Sequence, residues 1–389
     1  MRGNLSYRAD QNGPYNTVFT IKSKPLTTDT PITPGAPLPA GALISPSGVQ
    51  PNLFTPTVES YSLKISQQLS QNTSLSVGYV GSHGYHELLS IDANTPVPVF
   101  CPNSAVAACS TLPAGTEYIA TGSPDANPAV ANTTSWFSEG DSSYNALEVD
   151  VRRNFARGLQ FRGVYTYSKS EDDGDTVNTS ISTSSPAFTA NPLDPAADWS
   201  RSTFDATHSA VLNATWALPF GHNAARNSFA NHLISDWALG GILTAQSGFP
   251  FTPQLGYNPT NDGDSRNPVR PNINPSFAGP VILGAPNEYF NPAAFSAPVI
   301  GTYGNAGRDS LTGPGLTSLD FSVDRKLAIK ERLALQFRAE IFNILNHANF
   351  NEPNPVIYTS ATALSPTAGV ISSTTTTSRQ IQFGLKLLW

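Results

Sequence analysis

The last ten residues of the chain alternate between apolar and polar side chains. Ile381, Phe383, Leu385, Leu387 and Trp389 share one parity, and Gln380, Gln382, Gly384 and Lys386 share the other, with Leu388 as the exception. Side chains of a β-strand point alternately to the two faces of its sheet, so this pattern predicts a strand with one apolar and one polar face. Such an alternation over about ten residues, with aromatics near its end, is typical of strands that cross a bacterial outer membrane.

Eight further segments alternate in the same way and come mostly in pairs. They are residues 60–69 and 74–80, 146–152 and 159–168, 209–218 and 237–246, and 319–324 and 333–341. Two alternating runs separated by a short polar turn predict an antiparallel hairpin. The chain therefore has about nine well-patterned strands, and two or three weaker candidates add to them.

Short and long connections alternate between these strands. The long ones cover residues 92–140, 170–205, 248–315 and 346–377 and are rich in Pro, Asn, Ser and Thr. A soluble β-sandwich has more evenly spaced strands, whereas outer-membrane barrels join strands by short turns on one side and long loops on the other. We predict an all-β fold, an antiparallel transmembrane outer-membrane β-barrel that supplies about 10–12 strands of a larger barrel.

The first part of the chain has a different composition from the rest. Residues 1–56 are rich in Pro, Thr and Gly and predict an extended segment with at most one strand, near Tyr15 to Ile21; residues 57–389 carry the barrel pattern. The N-terminus lacks the apolar stretch of a secretory signal peptide. An outer-membrane protein needs one, so we expect the chain to be a piece of a longer protein, or the product of a miscalled or truncated reading frame.

Composition narrows the classes of function. Charged residues make up 13% of the chain and its net charge is −6, and the charged share is about half of the usual 25%. A barrel strand can use Asn, Gln, Ser and Thr in place of charge, and the absence of a basic run argues against nucleic acid as a partner. The sequence contains no Gly-x-Ser-x-Gly, His-Glu-x-x-His or phosphate-binding glycine loop, so we expect neither catalysis nor a cofactor.

A few residues are candidates for covalent or metal chemistry. Cys101 and Cys109 lie in one loop and predict a local disulfide if the compartment is oxidising, or two free thiols if it is not. Two acidic loop tips, which contain Asp172, Asp173 and Asp175 and Asp262 and Asp264, are weak calcium candidates without the distal Glu of an EF-hand. His83 and His86 are too few for a metal site of their own.

The polar faces of the predicted strands carry charged residues, which are Glu148, Asp150, Arg162, Arg338, Glu340 and Lys386. In a closed barrel they face the lumen. There they either contact a plug or a passing solute, or form cross-strand ion pairs that only keep the wall polar. On the apolar faces, Tyr165, Tyr167, Trp216, Trp237 and Trp389 are candidates for the aromatic girdles at the membrane surfaces.

Several segments also carry a family resemblance. Residues 144–170 (YNALEVDVRRNFARGLQFRGVYTYSKS), Pro219–Gly221, Ser247–Pro250 and residues 338–350 (RAEIFNILNHANF) look like parts of the Oar-like TonB-dependent receptors, the acidobacterial type that has a carboxypeptidase-regulatory-like domain. Phe383, Leu385, Leu387 and Trp389 resemble the C-terminal signal that the barrel assembly machinery recognises.

The resemblance implies an outer-membrane receptor or transporter barrel, located in the cell outer membrane, that binds or takes up a large solute. Its partners would be outer-membrane lipid, the barrel assembly machinery, a plug domain, the early barrel strands and TonB. The residues of this chain match neither the plug domain nor the early strands, so we expect little activity from the chain alone. Two alternatives remain at this point: a self-contained small pore or adhesin, and a secreted all-β binding protein.

Overall fold

The structure is a computed structural model that describes residues 19–21, 42–175, 188–220, 235–264, 266, 269–330 and 333–389. Nine long strands dominate it. In chain order they are β1 (Thr57–Ser70), β2 (Thr73–Ile91), β3 (Thr134–Ala156), β4 (Leu159–Asp172), β5 (His208–Ala217), β6 (Trp237–Gln246), β7 (Leu316–Lys330), β8 (Leu333–Phe342) and β9 (Gln380–Leu388). Each of the nine well-patterned sequence segments corresponds to one of them.

The long strands form one antiparallel meander in which each pairs with its neighbours in the chain, from β1 through to β9. The barrel is not closed: within the described residues, the outer edges of β1 and β9 pair with no other strand. The predicted fold class, part of an antiparallel outer-membrane barrel, is confirmed. Unpaired backbone groups at an edge favour pairing with further strands.

The register places most apolar residues of the nine strands on one face, with exceptions such as Ile242, which is in register with Asn213 and Asp320 on the polar face. Tyr79, Leu147 and Tyr167 occupy one row across β2, β3 and β4, and Phe321, Ile341 and Ile381 occupy another across β7, β8 and β9. Leu63 is 68% exposed and Phe383 is 73% exposed on this face. An apolar surface that runs across a whole sheet is costly in water and suits contact with lipid chains.

The hairpin turns explain why strand pairs form locally. Between β3 and β4 the chain turns through Arg157 and Gly158, whose φ angles are 52° and 82°. Two positive φ angles in a two-residue loop have the twist that matches the flanking strands. A Cβ atom at Gly158 would lie 2.4 Å from the carbonyl oxygen of Ala217, so this position excludes larger residues as well.

Strands β2 and β3 are longer than predicted. The prediction ended the first at residue 80 and placed 92–140 in a loop, whereas β2 continues to Ile91 and β3 begins at Thr134. These extensions also bond to segments outside the meander: the Thr189 amide donates to the carbonyl oxygen of Ser90 at 3.3 Å, and the Gln50 amide donates to that of Trp136 at 2.9 Å. Between the two extensions, Trp136 Nε1 donates to Ser90 Oγ at 3.1 Å. Register shifts near Gly84 and Glu87 interrupt the alternation of side chains.

The segment 1–56 contains three short strands among its described residues, at Phe19–Ile21, Ala42–Ile44 and Ser47–Val49, so the expectation of at most one strand was wrong. The first two pair with each other, and the third pairs in parallel with the start of β3. Three residues are too few to show an alternation, and these strands depend on their partners. Tyr15 to Val18 lie outside the described residues.

The remaining elements are short and lie in the connections. The strands are Val99–Phe100, Glu117–Tyr118, Ser200–Arg201, Pro250–Phe251, Gln254–Leu255, Asn272–Ile273, Ile282–Ala285, Glu288–Phe290, Phe295–Ser296, Leu311–Thr312 and Val356–Tyr358, and the 3₁₀ helices are Ala107–Cys109, Pro195–Asp198 and Pro292–Ala294. Within the described ranges, no helix is long and apolar enough to cross a membrane.

The four long connections pack together as a loop cap, which we define as residues 92–133, 188–207, 247–315 and 343–379. All lie at the same end of the meander because each follows an even-numbered strand. The Ile119 amide donates to the carbonyl oxygen of Gly301 at 2.8 Å, and Leu255 pairs with Tyr358. The cap has its own core around Phe251, Phe290 and Ile357, each fully buried, so its loops form a packed structure.

Candidate functional site: a polar wall beneath a loop cap

The polar face of the meander encloses a concavity of about 550 Å³ near its middle. Its walls come from β3 through β8, and its polar lining residues include Arg162, Asn213, Thr215, Asp320, Ser322, Arg338 and Glu340. Strand alternation places these residues on one face, opposite the apolar residues that flank them in sequence. The concavity is therefore lined by both charges and by neutral hydrogen-bonding groups.

Asp150 and Arg162 form one ion pair of this wall. Arg162 Nε donates to Asp150 Oδ1 at 3.2 Å and its Nη2 donates to Oδ2 at 2.9 Å. This two-bonded geometry fixes both groups. The side chain of Arg162 is 59% exposed, however, so water screens the pair and its contribution to stability is small.

A second group of charges runs across β7, β8 and β9. Arg338 contacts Asp324 across the β7–β8 pair at 3.5 Å and Glu340 at 2.9 Å, and Glu340 accepts a hydrogen bond from Gln382. Glu148 and Lys386 also lie on the polar face, in register with Thr166 and Gln336, but outside the concavity. The structure thus brings together four of the six predicted wall residues in two separate groups.

We expect the coupling between Asp150 and Arg162 to be weak. In a double-mutant cycle with Asp150→Asn and Arg162→Gln, the interaction free energy should not exceed about 1 kcal/mol, because the pair is exposed. The measurement is denaturant unfolding of the protein in lipid vesicles. A coupling of roughly 3 kcal/mol or more would instead indicate a desolvated pair.

Above the wall, buried charges join the loops to the strands. Arg308 bonds to Asp172 at the end of β4 and to Asp175 Oδ2 at 2.7 Å, and its Nε donates to the carbonyl oxygen of Asp198 at 2.8 Å. Arg270 Nη1 lies 2.5 Å from Asp198 Oδ1. We call Asp172, Asp173, Asp175, Asp198, Arg270, Arg308 and Asp309 the loop clamp.

Arg266 forms ion pairs in a neighbouring part of the loop cap. Arg266 bonds to Asp264 and, at 3.1 Å, to Asp92 Oδ2. Asp92 also accepts hydrogen bonds from the amide and hydroxyl of Thr133. Burial raises the pKa of Asp264, and the adjacent Arg266 opposes that shift. This cluster ties the loop after β2 to the loop after β6.

The carboxylates that were weak calcium candidates all accept hydrogen bonds from donor groups of the protein. Asp172 and Asp175 bond to Arg308, both oxygens of Asp173 accept from the Asp141 amide, and Asp264 bonds to Arg266. Asp262 accepts from Asn258 and from the Asp264 amide. Within the described residues, no three His, Cys, Asp or Glu side chains form a group that could hold a metal ion.

The other singled-out residues lie in the loop cap or in the half of β2 that leads to it. Cys101 and Cys109 are joined in a disulfide, with Cα atoms 5.2 Å apart, and pack with Tyr118 in the loop cap. His86 stacks on Phe54 at 4.8 Å between ring centroids, while His83 lies near Tyr85.

The girdle candidates lie on the apolar face. Tyr165 and Tyr167 contact His208 toward the loop end. Trp216 and Trp237 lie toward the opposite end, where Trp237 meets the Arg325 guanidinium at 5.2 Å. Trp389, 91% exposed, follows β9. The aromatics therefore occupy two levels along the strands, which is the distribution that girdles at two membrane surfaces require.

The comparison with known protein families agrees with this architecture. A model described as an outer membrane beta-barrel domain matches residues 1–382. The chain belongs to the outer membrane beta-barrel domain family. It is therefore an outer-membrane protein. The family match begins before residue 57, so it does not separate the first 56 residues from the barrel. No curated protein matches the chain.

Similar solved structures include the outer membrane transporter YddB from Escherichia coli, with 11% identity and a TM-score of 0.41 over 86% of this chain and 33% of that one. A mutant of the ferric enterobactin receptor PfeA from Pseudomonas aeruginosa has 11% identity and a TM-score of 0.40 over 90% of this chain and 33% of that one. The siderophore receptor PirA from Acinetobacter baumannii has 9% identity and a TM-score of 0.38 over 90% of this chain and 33% of that one. The chain spans about a third of the length of each.

Sequence reasoning missed the loop clamp as a unit. It noted Asp172, Asp173 and Asp175 as an acidic tip, but not the arginines 270 and 308 that meet them. The sequence separation of Arg308 from Asp175 is 133 residues, and no periodic pattern links positions in two loops. The one available signal was compositional: the long connections contain several Asp and Arg but no Lys, and Arg is the cation that proteins favour for buried ion pairs.

Proposed function

We propose that this chain forms the C-terminal part of the barrel of a TonB-dependent receptor of the Oar-like type, which binds or takes up a large solute. The observation that carries the proposal is the polar wall beneath a packed loop cap: the cap stands at one mouth of the barrel, where a solute arrives first, and the wall lies along its path. The resemblance of residues 144–170 and 338–350 to Oar-like receptors supports the subtype.

The proposed role is transport or binding and not catalysis. The concavity is lined by charges of both signs, with arginines in excess: Arg152, Arg153, Arg162 and Arg338 against Asp320 and Glu340. Asp150 and Glu340 offset part of this excess through ion pairs with Arg162 and Arg338. Neutral groups such as Asn213, Thr215 and Ser322 lie between them. A lining of this kind offers many hydrogen bonds to a large polar solute.

The partners follow from the proposal. Outer-membrane lipid would cover the apolar face, and the barrel assembly machinery would recognise the terminal strand through Phe383, Leu385, Leu387 and Trp389. Further strands would pair with the edges of β1 and β9, since a membrane-embedded edge leaves backbone groups unsatisfied. A plug domain and TonB would supply gating and energy.

The test is a conductance measurement on the gene's product purified from outer membranes and inserted into planar lipid bilayers. We expect a closed barrel that conducts only after urea displaces a plug, and we expect a TonB C-terminal domain to co-purify with it. Steady conductance without urea would contradict the proposal and indicate a passive pore. Recovery of the product as a detergent-free soluble protein would contradict it in favour of a secreted binding protein.

A further inference from the structure

The loop clamp concentrates acidic groups away from water. Its seven side chains are each less than one-tenth exposed. Five of them are carboxylates and two are guanidinium groups, so the fully ionised cluster has a net charge of −3. A buried group of unbalanced charges is strongly unfavourable, and such groups lower their charge by taking up protons.

The clamp holds three parts of the chain together. Asp172 ends β4, and Asp173 and Asp175 follow it. Asp198 lies in the 188–207 loop, and the other three residues of the clamp, Arg270, Arg308 and Asp309, lie in the 247–315 loop. Arg308 contacts carboxylates of the first part and backbone of the second. Any change in the charge of the clamp therefore acts on the attachment of two long loops to the barrel rim.

We propose that the loop clamp is a proton-operated latch, which holds segments 172–175, 188–205 and 308–309 together in acidic surroundings and loosens them in alkaline ones. Two carboxylates carry this response because their surroundings leave them the least compensated. Both carboxylate oxygens of Asp173 accept from a backbone amide, that of Asp141, and not from an arginine within the described residues, and Asp309 shares Arg308 with Asp172 and Asp175.

The charged neighbours of both groups are mainly acidic. Asp173 faces Asp141 on β3 and Asp172 on β4, and Glu87 on β2 lies near both of these. Asp309 faces Arg308, Asp175 and Asp172, and accepts from the Thr252 hydroxyl. Nearby, Arg201 is engaged by Asp205 and Arg270 by Asp198, so neither arginine is available to the two carboxylates.

The sign of the response follows from these environments. Burial raises the pKa of Asp173 and that of Asp309 to about 7, well above the ordinary 3.8. A carboxyl group whose pKa is raised in the closed state binds protons more tightly there than in the open state. The closed state is therefore favoured below pH 7 and loses that stabilisation as pH rises from about 4 to about 7. Over this range, the equilibrium constant between the open and the closed state rises by up to about tenfold per pH unit for each of the two groups.

Hydrogen exchange of the membrane-extracted protein in detergent tests the latch. After correction for intrinsic exchange, we expect protection of peptides covering 170–175, 198–205 and 308–312 to be about tenfold or more higher at pH 5.5 than at pH 8. The double variant Asp173→Asn, Asp309→Asn should keep high protection at both pH values. Asn suits position 309, whose φ is 49°. The exposed Asp194→Asn serves as control and should behave like the unchanged protein.

Three results would overturn the proposal. Protection that does not change with pH in the unchanged protein is the first. The second is the same pH dependence in the double variant as in the unchanged protein. The third is protection restored at pH 8 by added calcium in the unchanged protein, which would make the cluster a cation site. Conductance plays no part in these readings, so they are independent of the proposed transport function.

Discussion

Arg308→Gln should destabilise the loop cap by about 3–5 kcal/mol at neutral pH. Arg308 is 5% exposed and is the shared partner of Asp172, Asp175 and Asp309. Removal of one partner from a buried ion pair leaves uncompensated charge in a medium that solvates it poorly. The measurement is pulse proteolysis across a urea gradient, which gives the free energy of opening of the 188–207 and 247–315 loops.

Arg162→Gln provides the matched control. It removes the same side chain from an ion pair of similar geometry, but one in which Arg162 is 59% exposed, so the loss should be about 1 kcal/mol or less. A similarly small effect for both variants would show that Arg308 is solvated and that the clamp does not hold the loops.

Phe383→Arg should destabilise the inserted barrel by roughly 2–4 kcal/mol, the range for a cation placed on a lipid face near the membrane midplane. Phe383 lies near the centre of β9, in register with Ala339 on the apolar face, and it stacks on Phe337 at 6.3 Å between ring centroids. The free energy of unfolding is measured by guanidinium titration of the protein in phospholipid vesicles.

Gln382→Arg places the same cation one residue away on the opposite face. Gln382 is in register with Glu340, so an arginine there gains an ion-pair partner, and we expect a change within about 0.5 kcal/mol. If the two substitutions had equal effects, the assignment of faces would be wrong.

The parts of the fold that the sequence could predict are those that depend on strand alternation. Phe383 and Gln382 were assigned to opposite faces from their parity alone, and the register of β8 and β9 agrees. The β2 and β3 extensions were missed because the side chains of Ser90 and Trp136 bond to each other and their backbones bond to Thr189 and Gln50 outside the meander. At such positions, the alternation of apolar and polar residues does not indicate which face contacts lipid. The clamp was missed because Arg308 and Asp172 meet only after the loops have folded.

The central claim is that the apolar face of the meander contacts lipid while the polar face lines an aqueous lumen. Spin labels placed singly at each position from 335 to 341 in β8, in the protein reconstituted in lipid vesicles, test it most directly. We expect collisions with oxygen to peak at Leu335, Phe337, Ala339 and Ile341, and collisions with a polar nickel chelate to peak at Gln336, Arg338 and Glu340. The opposite phase, or no alternation, would contradict the claim.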